Sequence, residues 1–258
     1  MHFPDYHPIL TNFNTSIILP FYKKLVDFKR ILPLNAKYFQ RNGLEVIIVM
    51  DDPEGESNLM LLIKEYPLIN WLIIINRELH RWRNPAKAIN VGIRASTKDY
   101  IMVCSPESMF HTDAIFRLRY ITENYKHSFA IGKVAFGSYE SAFNGSLNAF
   151  LSYGSVMVNK QYLEQVTGYS ENFEEWGGED DNLRAKLEYI GLQKILVNDA
   201  ILIHYEDKSS GYTDRSKKSK ALPLGTKRKA FIPDMDDFQN LNWGTDFSEI
   251  IYDYRKNI

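Results

Sequence analysis

Leu44-Glu-Val-Ile-Ile-Val-Met50 narrows the fold more than any other stretch of this chain. A run that is apolar at almost every position, and rich in β-branched residues, is the pattern of a strand buried on both faces. Such strands belong to parallel sheets covered by helices on either side. Ser16-Ile-Ile-Leu-Pro-Phe-Tyr22, Trp71-Leu-Ile-Ile-Ile75 and Tyr100-Ile-Met-Val-Cys104 repeat the pattern. Between them lie segments of helical spacing: one to about Gln40, which Pro33 is expected to interrupt or restart, one over 56–65, and one from Asn84 to Ser96. The last has Pro85 in its first turn and small residues on one face, suited to close approach to a sheet. Alternating strand and helix through residues 16–107 predicts an α/β fold with a mostly parallel central sheet flanked by helices.

In a sheet of that kind, ligands bind at the carboxyl ends of the strands. Two acidic places fall there: Asp51-Asp52, after the second strand, and Glu107, after the fourth. Each has an ordinary alternative, since Asp51 or Asp52 could cap the next helix and Glu107 could be a solvated turn residue.

Beyond residue 107 a helix is expected over His111–Tyr125 and a strand over Phe129–Phe136, with a loop at 137–150. A strand-like Tyr153–Val158 and a short helix Lys160–Val166 follow. Trp176-Gly-Gly-Glu-Asp-Asp181 then leads into Leu183, Leu187 and Ile190, the spacing of an amphipathic helix, with Gly191 as its stop. Glu179, Asp180 and Asp181 therefore occupy the first turn of that helix, behind two glycines. Acids complement a helix N-terminus, which accounts for one or two of them. Three of them directly after Trp-Gly-Gly suggest a site. Leu192–Val197 and Ala200–His204 read as two short strands around Asn198-Asp199. His204 stands in an apolar run, where a core histidine is the alternative to a ligand. A carboxylate with an imidazole suits Mn²⁺ or Mg²⁺ carrying phosphate oxygens, and a further carboxylate could serve as general base.

Composition excludes several classes. A formal net charge of −1 gives no global field for nucleic acid. The single Cys104 allows neither a disulfide framework nor a cysteine-based zinc site. No apolar run reaches transmembrane length, and the residues after Met1 lack the pattern of a secretory signal, so a cytoplasmic protein is expected. Lys217, Lys218, Lys220, Lys227, Arg228 and Lys229 lie in a polar stretch, 206–230, read as a mobile loop. Contact with anionic lipid at the inner membrane face is the other reading of that basic run.

Taken in order along the chain, these motifs resemble nucleotide-sugar glycosyltransferases of family 2, with the GT-A (Rossmann-like) fold, over residues 15–205 or so. The resemblance implies a domain over 1–230 and leaves 231–258 as an extension of uncertain structure. Glu45-Val-Ile-Ile-Val-Met-Asp-Asp52 is similar to the family's second strand, so Asp51 and Asp52 are expected to bind the nucleoside. Ala86-Lys-Ala-Ile-Asn-Val-Gly92 is similar to a helix whose basic residue faces the nucleotide, which gives Lys87 and Asn90 donor-binding roles. Trp176-Gly-Gly-Glu-Asp-Asp resembles the acceptor-side motif of β-1,4-galactosyltransferases and chondroitin-type polymerases. It implies Asp180 as catalytic base, and Trp176, Gly178 and Glu179 as substrate contacts. The family's metal ligands correspond to Glu107 and His204, with Mn²⁺ or Mg²⁺ as cofactor. One departure is plain: the Asp-x-Asp metal motif reads Ser105-Pro106-Glu107 here, so its first carboxylate is a hydroxyl.

The implied activity is inverting transfer of a hexosyl group from a nucleotide sugar, a UDP-sugar in the first instance, to a carbohydrate or lipid-linked acceptor, as in polysaccharide biosynthesis. The alternative is a GT-A-fold nucleotide-sugar-binding or scaffold protein that has lost catalysis. A nucleotidyltransferase would need a glycine-rich basic loop after the first strand, and Pro20-Phe-Tyr-Lys-Lys24 is not one.

Overall fold

A computed structural model describes residues 12–78, 84–137, 150–151, 155–173, 177–205, 231–233 and 235–256. Strands β1 (Thr15–Phe21), β2 (Leu44–Met50), β3 (Trp71–Ile75) and β4 (Tyr100–Val103) pair in parallel in the order β3-β2-β1-β4. Every residue of β2 and β3 is buried, as expected of sequences apolar at all positions but Glu45, whose carboxylate accepts from the Ser16 hydroxyl and the Thr97 amide.

The sheet continues from β4 through β8 (Val156–Asn159), β6 (Ser128–Gly137), β9 (Gln193–Tyr205) and β5 (Ser108–Phe110). β7 (Phe150–Leu151) pairs with β6 off this path. β8 runs antiparallel to both β4 and β6, while β6 and β9 are parallel. Two reversals restore the direction, so β1–β4, β6 and β9 all end at the same edge of the sheet.

Successive side chains of a strand face opposite ways, and the core divides accordingly. Ile17, Leu19 and Phe21 of β1 face α1 (Leu25–Phe39), α2 (Glu56–Lys64) and α4 (Ala114–Asn124). Ile18, between them, faces α3 (Ala86–Ala95), α5 (Lys160–Gln165) and α6 (Glu179–Tyr189). The small-residue face of α3 lies close against the sheet. A Cβ on Gly92 would come within 2.7 Å of Ile18 Cγ2 and 3.0 Å of Val49 Cγ2.

Two local expectations are corrected, and the segment left uncertain takes a place in the fold. Pro33 neither stops nor restarts α1, which runs unbroken through it. Pro33 and Lys29, whose carbonyl loses its helical donor, both lie on the exposed face, where water can supply the missing bond. The two short strands expected around Asn198-Asp199 are one strand, β9, with an irregular register where Lys133 follows Ile131 on β6. The segment from Phe231 joins the main sheet: β10 (Glu249–Asp253) pairs antiparallel with β3, and Trp243 is buried in the core on the α3 side. Among the described residues no helix is long and apolar enough to cross a membrane.

Candidate active site

The order β3-β2-β1-β4 opens a crevice between the carboxyl ends of β1 and β4, because the chain winds outward from β1 to one side and returns to its other side with β4. Glu107 follows β4 at this point and is buried, 1% exposed. His204, near the end of β9, pairs in register with Ser108, the residue next to Glu107. Ladder geometry thus brings together residues almost a hundred positions apart, and His204 Nε2 lies 3.2 Å from Glu107 Oε1. The Phe136 ring stands 5.3 Å from the imidazole, centroid to centroid.

Lys24, just beyond β1, completes this group. Its Nζ is 2.6 Å from the same Glu107 oxygen, and the lysine is itself buried. Sequence reading had no role for Lys24. The signal available was its place at the end of a parallel strand, on the ligand edge, in Pro20-Phe-Tyr-Lys-Lys24.

The second group forms where two helices begin. α3 leads through 96–99 into β4, and α6 leads through 190–192 into β9. Both helices therefore start near the edge where those strands end, and Asn84 Nδ2 donates to Glu179 Oε2 at 2.9 Å across the gap. Gly177 and Gly178 have φ of 94° and 93°, the left-handed region that side chains disfavour, which is why the turn into α6 carries two glycines. No side chain caps α6, and Gly178 stands at the cap position. Glu179 is buried, and that burial beside Asp180 pushes its carboxyl up to about 7. Burial also raises the half-buried Asp180; Arg184 opposes the rise and Asp181 adds to it. Asp181 pairs with Arg184 at 3.4 Å within the helix. Tyr169, wholly buried, has its hydroxyl raised by burial and by the charges of Asp180 and Glu179.

The remaining sequence-predicted residues divide. Asp51 Oδ1 accepts from Asn76 Nδ2 at 3.0 Å, linking the ends of β2 and β3 at the ligand edge. Asp52 accepts from the Glu54 amide in a turn. Neither caps α2, whose cap position is Gly55. Lys87 stands in the first turn of α3, with Nζ 2.6 Å from Asp246 Oδ1 of the C-terminal segment. Asn90 does not reach a ligand surface. It is fully buried, its Nδ2 donates to the Tyr169 carbonyl and to Glu171, and its Oδ1 accepts from the Tyr169 amide. These bonds tie α3 to the 169–171 loop. Trp176 lies outside the described residues, as do residues 138–149 of the loop expected at 137–150 and the basic stretch 206–230.

Glu107 Oε1 and His204 Nε2 suit a divalent ion. Two donors on neighbouring positions of an octahedral ion, each bonded at roughly 2.1 Å, stand about 3 Å apart. Among the described residues no group of three or more His, Cys, Asp and Glu side chains gathers around one point. The other positions would go to diphosphate oxygens and water, the usual arrangement for Mg²⁺ at phosphate sites.

The chain is similar to several known proteins. A family model described as the N-terminal domain of galactosyltransferase matches residues 133–207, which hold the Trp-Gly-Gly-Glu-Asp-Asp motif and His204. β-1,4-Galactosyltransferase 4 of Homo sapiens is 28% identical over 171 residues, covering 62% of this chain and 46% of that protein. β-1,4-Galactosyltransferase 1 of Bos taurus is 26% identical over 124 residues, covering 47% of this chain and 29% of that protein. The chain spans less than half the length of these curated relatives. Among solved structures, a mannosyltransferase from Pyrobaculum calidifontis in complex with GDP-Man and Mn²⁺ superposes with a TM-score of 0.56 at 16% identity, covering 84% of this chain and 68% of that one. The catalytic domain of Drosophila β-1,4-galactosyltransferase 7, in complex with xylobiose, gives 0.51 at 15% identity, covering 86% and 80%. The fold is that of the GT-A glycosyltransferases: a mixed sheet with a mostly parallel core, flanked by helices.

Proposed function

We propose that this chain is a nucleotide-sugar glycosyltransferase that moves a hexosyl group from a UDP-sugar to an acceptor hydroxyl with inversion at the anomeric carbon. The observation that carries the proposal is the placing of two groups toward one sheet edge: Glu107 with His204 at the ends of β4 and β9, and Glu179 with Asp180 at the start of α6. The galactosyltransferase model spans the second group and His204, and a related Drosophila enzyme has been solved with manganese, UDP-Gal and xylobiose.

Asp51 and Asp52 lie where a nucleoside would rest, at the end of β2. Lys87, in the first turn of α3, would bring its charge to the diphosphate by leaving Asp246. A divalent ion held by Glu107 and His204 would neutralise charge developing on the diphosphate as the bond to the anomeric carbon breaks. Asp180 takes the proton of the acceptor hydroxyl as its oxygen attacks the opposite face of that carbon. A carboxyl raised above the ordinary aspartate range is a stronger base than a surface aspartate, and so better suited to a hydroxyl. Glu179, held by Asn84, is fixed for a hydrogen bond to a sugar.

The test is Asp180→Asn, assayed for transfer and hydrolysis against a panel of nucleotide sugars with Mn²⁺. Transfer should fall by about a thousandfold or more while UDP affinity stays within a few-fold. Near-normal transfer by the variant would remove Asp180 as the base. Ser105 in place of the usual acid favours the second reading, a binding protein without catalysis. On that reading the wild-type chain binds donor but turns over none of the panel.

A further inference from the structure

Glu107 carries two partners on one oxygen: His204 Nε2 at 3.2 Å and Lys24 Nζ at 2.6 Å. The carboxylate side chain is 2% exposed and that of the lysine 9%, so the pair is shielded from solvent. Lys24 and Glu107 follow neighbouring parallel strands, β1 and β4, which places the contact within the crevice where the sheet order turns. A divalent ion bonded to the same oxygen would stand a few ångströms from the ammonium. Like charges that close, in a buried setting, repel strongly. The ammonium also cannot simply be left where it is without an anion, because a buried unpaired charge is costly. A diphosphate supplies that anion: its oxygens can receive both the metal and the displaced lysine.

We propose that Lys24 is the resident cation of the Glu107–His204 site, excluding a divalent ion until a nucleoside diphosphate arrives to accept the lysine. This rests on the assignment of Glu107 and His204 as metal ligands made above. Metal and nucleotide then bind with strong positive coupling. The lysine moves from carboxylate to phosphate, so it contributes to holding the diphosphate as well as to excluding the metal.

Mn²⁺ binding to the full chain, followed by the loss of the free-ion electron paramagnetic resonance signal, tests this with and without UDP. For the wild type, UDP should tighten Mn²⁺ binding by about a hundredfold or more. Lys24→Met, similar in volume and uncharged, should bind Mn²⁺ without UDP about tenfold or more tighter than the wild type does. Its affinity for UDP in metal-free buffer should drop, whereas Lys24→Arg, if folded by circular dichroism, should keep the wild-type coupling. Equal Mn²⁺ affinity in the wild type with and without UDP overturns the proposal with no variant needed. So does equal affinity of the wild type and Lys24→Met in the absence of UDP. Absence of Mn²⁺ binding in every arm overturns the metal assignment itself, and this proposal with it.

Discussion

Asn84 holds Glu179 across 2.9 Å, and through that one hydrogen bond the start of α3 is fixed to the start of α6. Asn84 also accepts, at Oδ1, from the amide of Ala86, the first residue of α3, at 3.0 Å. The beginnings of α3 and α6 thus share one residue, so that a change at Asn84 reaches both.

Glu179 gives that junction a pH dependence. Its carboxyl is raised from the ordinary value near 4.5 to about 7 in the folded chain. Between those values the native state holds a proton that the unfolded state has released, so stability falls as pH rises through this window and levels off above it. Glu179→Gln removes the titration. Urea unfolding of both proteins at pH 5 and pH 8 should show the wild type losing up to about 3 kcal/mol more than the variant over that interval. Parallel losses would show that Glu179 is not raised.

Arg184 acts on the proposed base from one turn along the same helix. Its charge lowers Asp180 against the upward effect of burial. Arg184→Met should therefore shift the acidic limb of the kcat/KM–pH profile toward higher pH, leaving the plateau rate close to that of the wild type. A limb that stays in place would separate Arg184 from Asp180.

Asn90 offers a check on the tie between α3 and the 169–171 loop. Asn90→Ala strands the Tyr169 amide and carbonyl and removes a partner of Glu171, all in or beside the core. Chemical denaturation should register a loss of about 2–4 kcal/mol. The folded variant should bind UDP within a few-fold of the wild type, and a selective loss of UDP affinity at unchanged stability would restore the donor-binding role.

Gly92→Ala tests the close approach of α3 to the sheet. The added methyl meets Ile18 and Val49 at distances where something must shift, and the cost should be about 1–3 kcal/mol in the same assay. A neutral result would mean that α3 can ride outward freely.

What the residues alone reveal follows the range over which each feature is decided. β1 to β4 announce themselves because burial on both faces leaves a nearly continuous apolar run within one strand. Glu107 and His204 are legible as candidate ligands by their order along the chain. Lys24 was not, because its contact depends on β1 and β4 being neighbours, a fact of strand order and not of local pattern. Asn90 looked like a binding residue since a buried amide tied to a backbone and a ligand-facing amide have the same one-letter context. Pro33 misled because a proline's penalty depends on which face of the helix it occupies. β10 was missed because Glu249-Ile-Ile-Tyr-Asp253 is short and carries acids at both ends, as an edge strand can.

The pairing of β10 with β3 has a consequence for biosynthesis. As the chain leaves the ribosome, β3 emerges some 170 residues before the strand that covers its open side. Throughout that interval Trp71-Leu-Ile-Ile-Ile75 presents bare backbone amides and carbonyls along a wholly apolar strand, the kind of edge to which another chain can add itself. Nascent chains stalled before Glu249, and truncations there, should accordingly depend on chaperones and accumulate in inclusion bodies. A tag or fusion partner is better attached after residue 256 than grafted in place of the final strand.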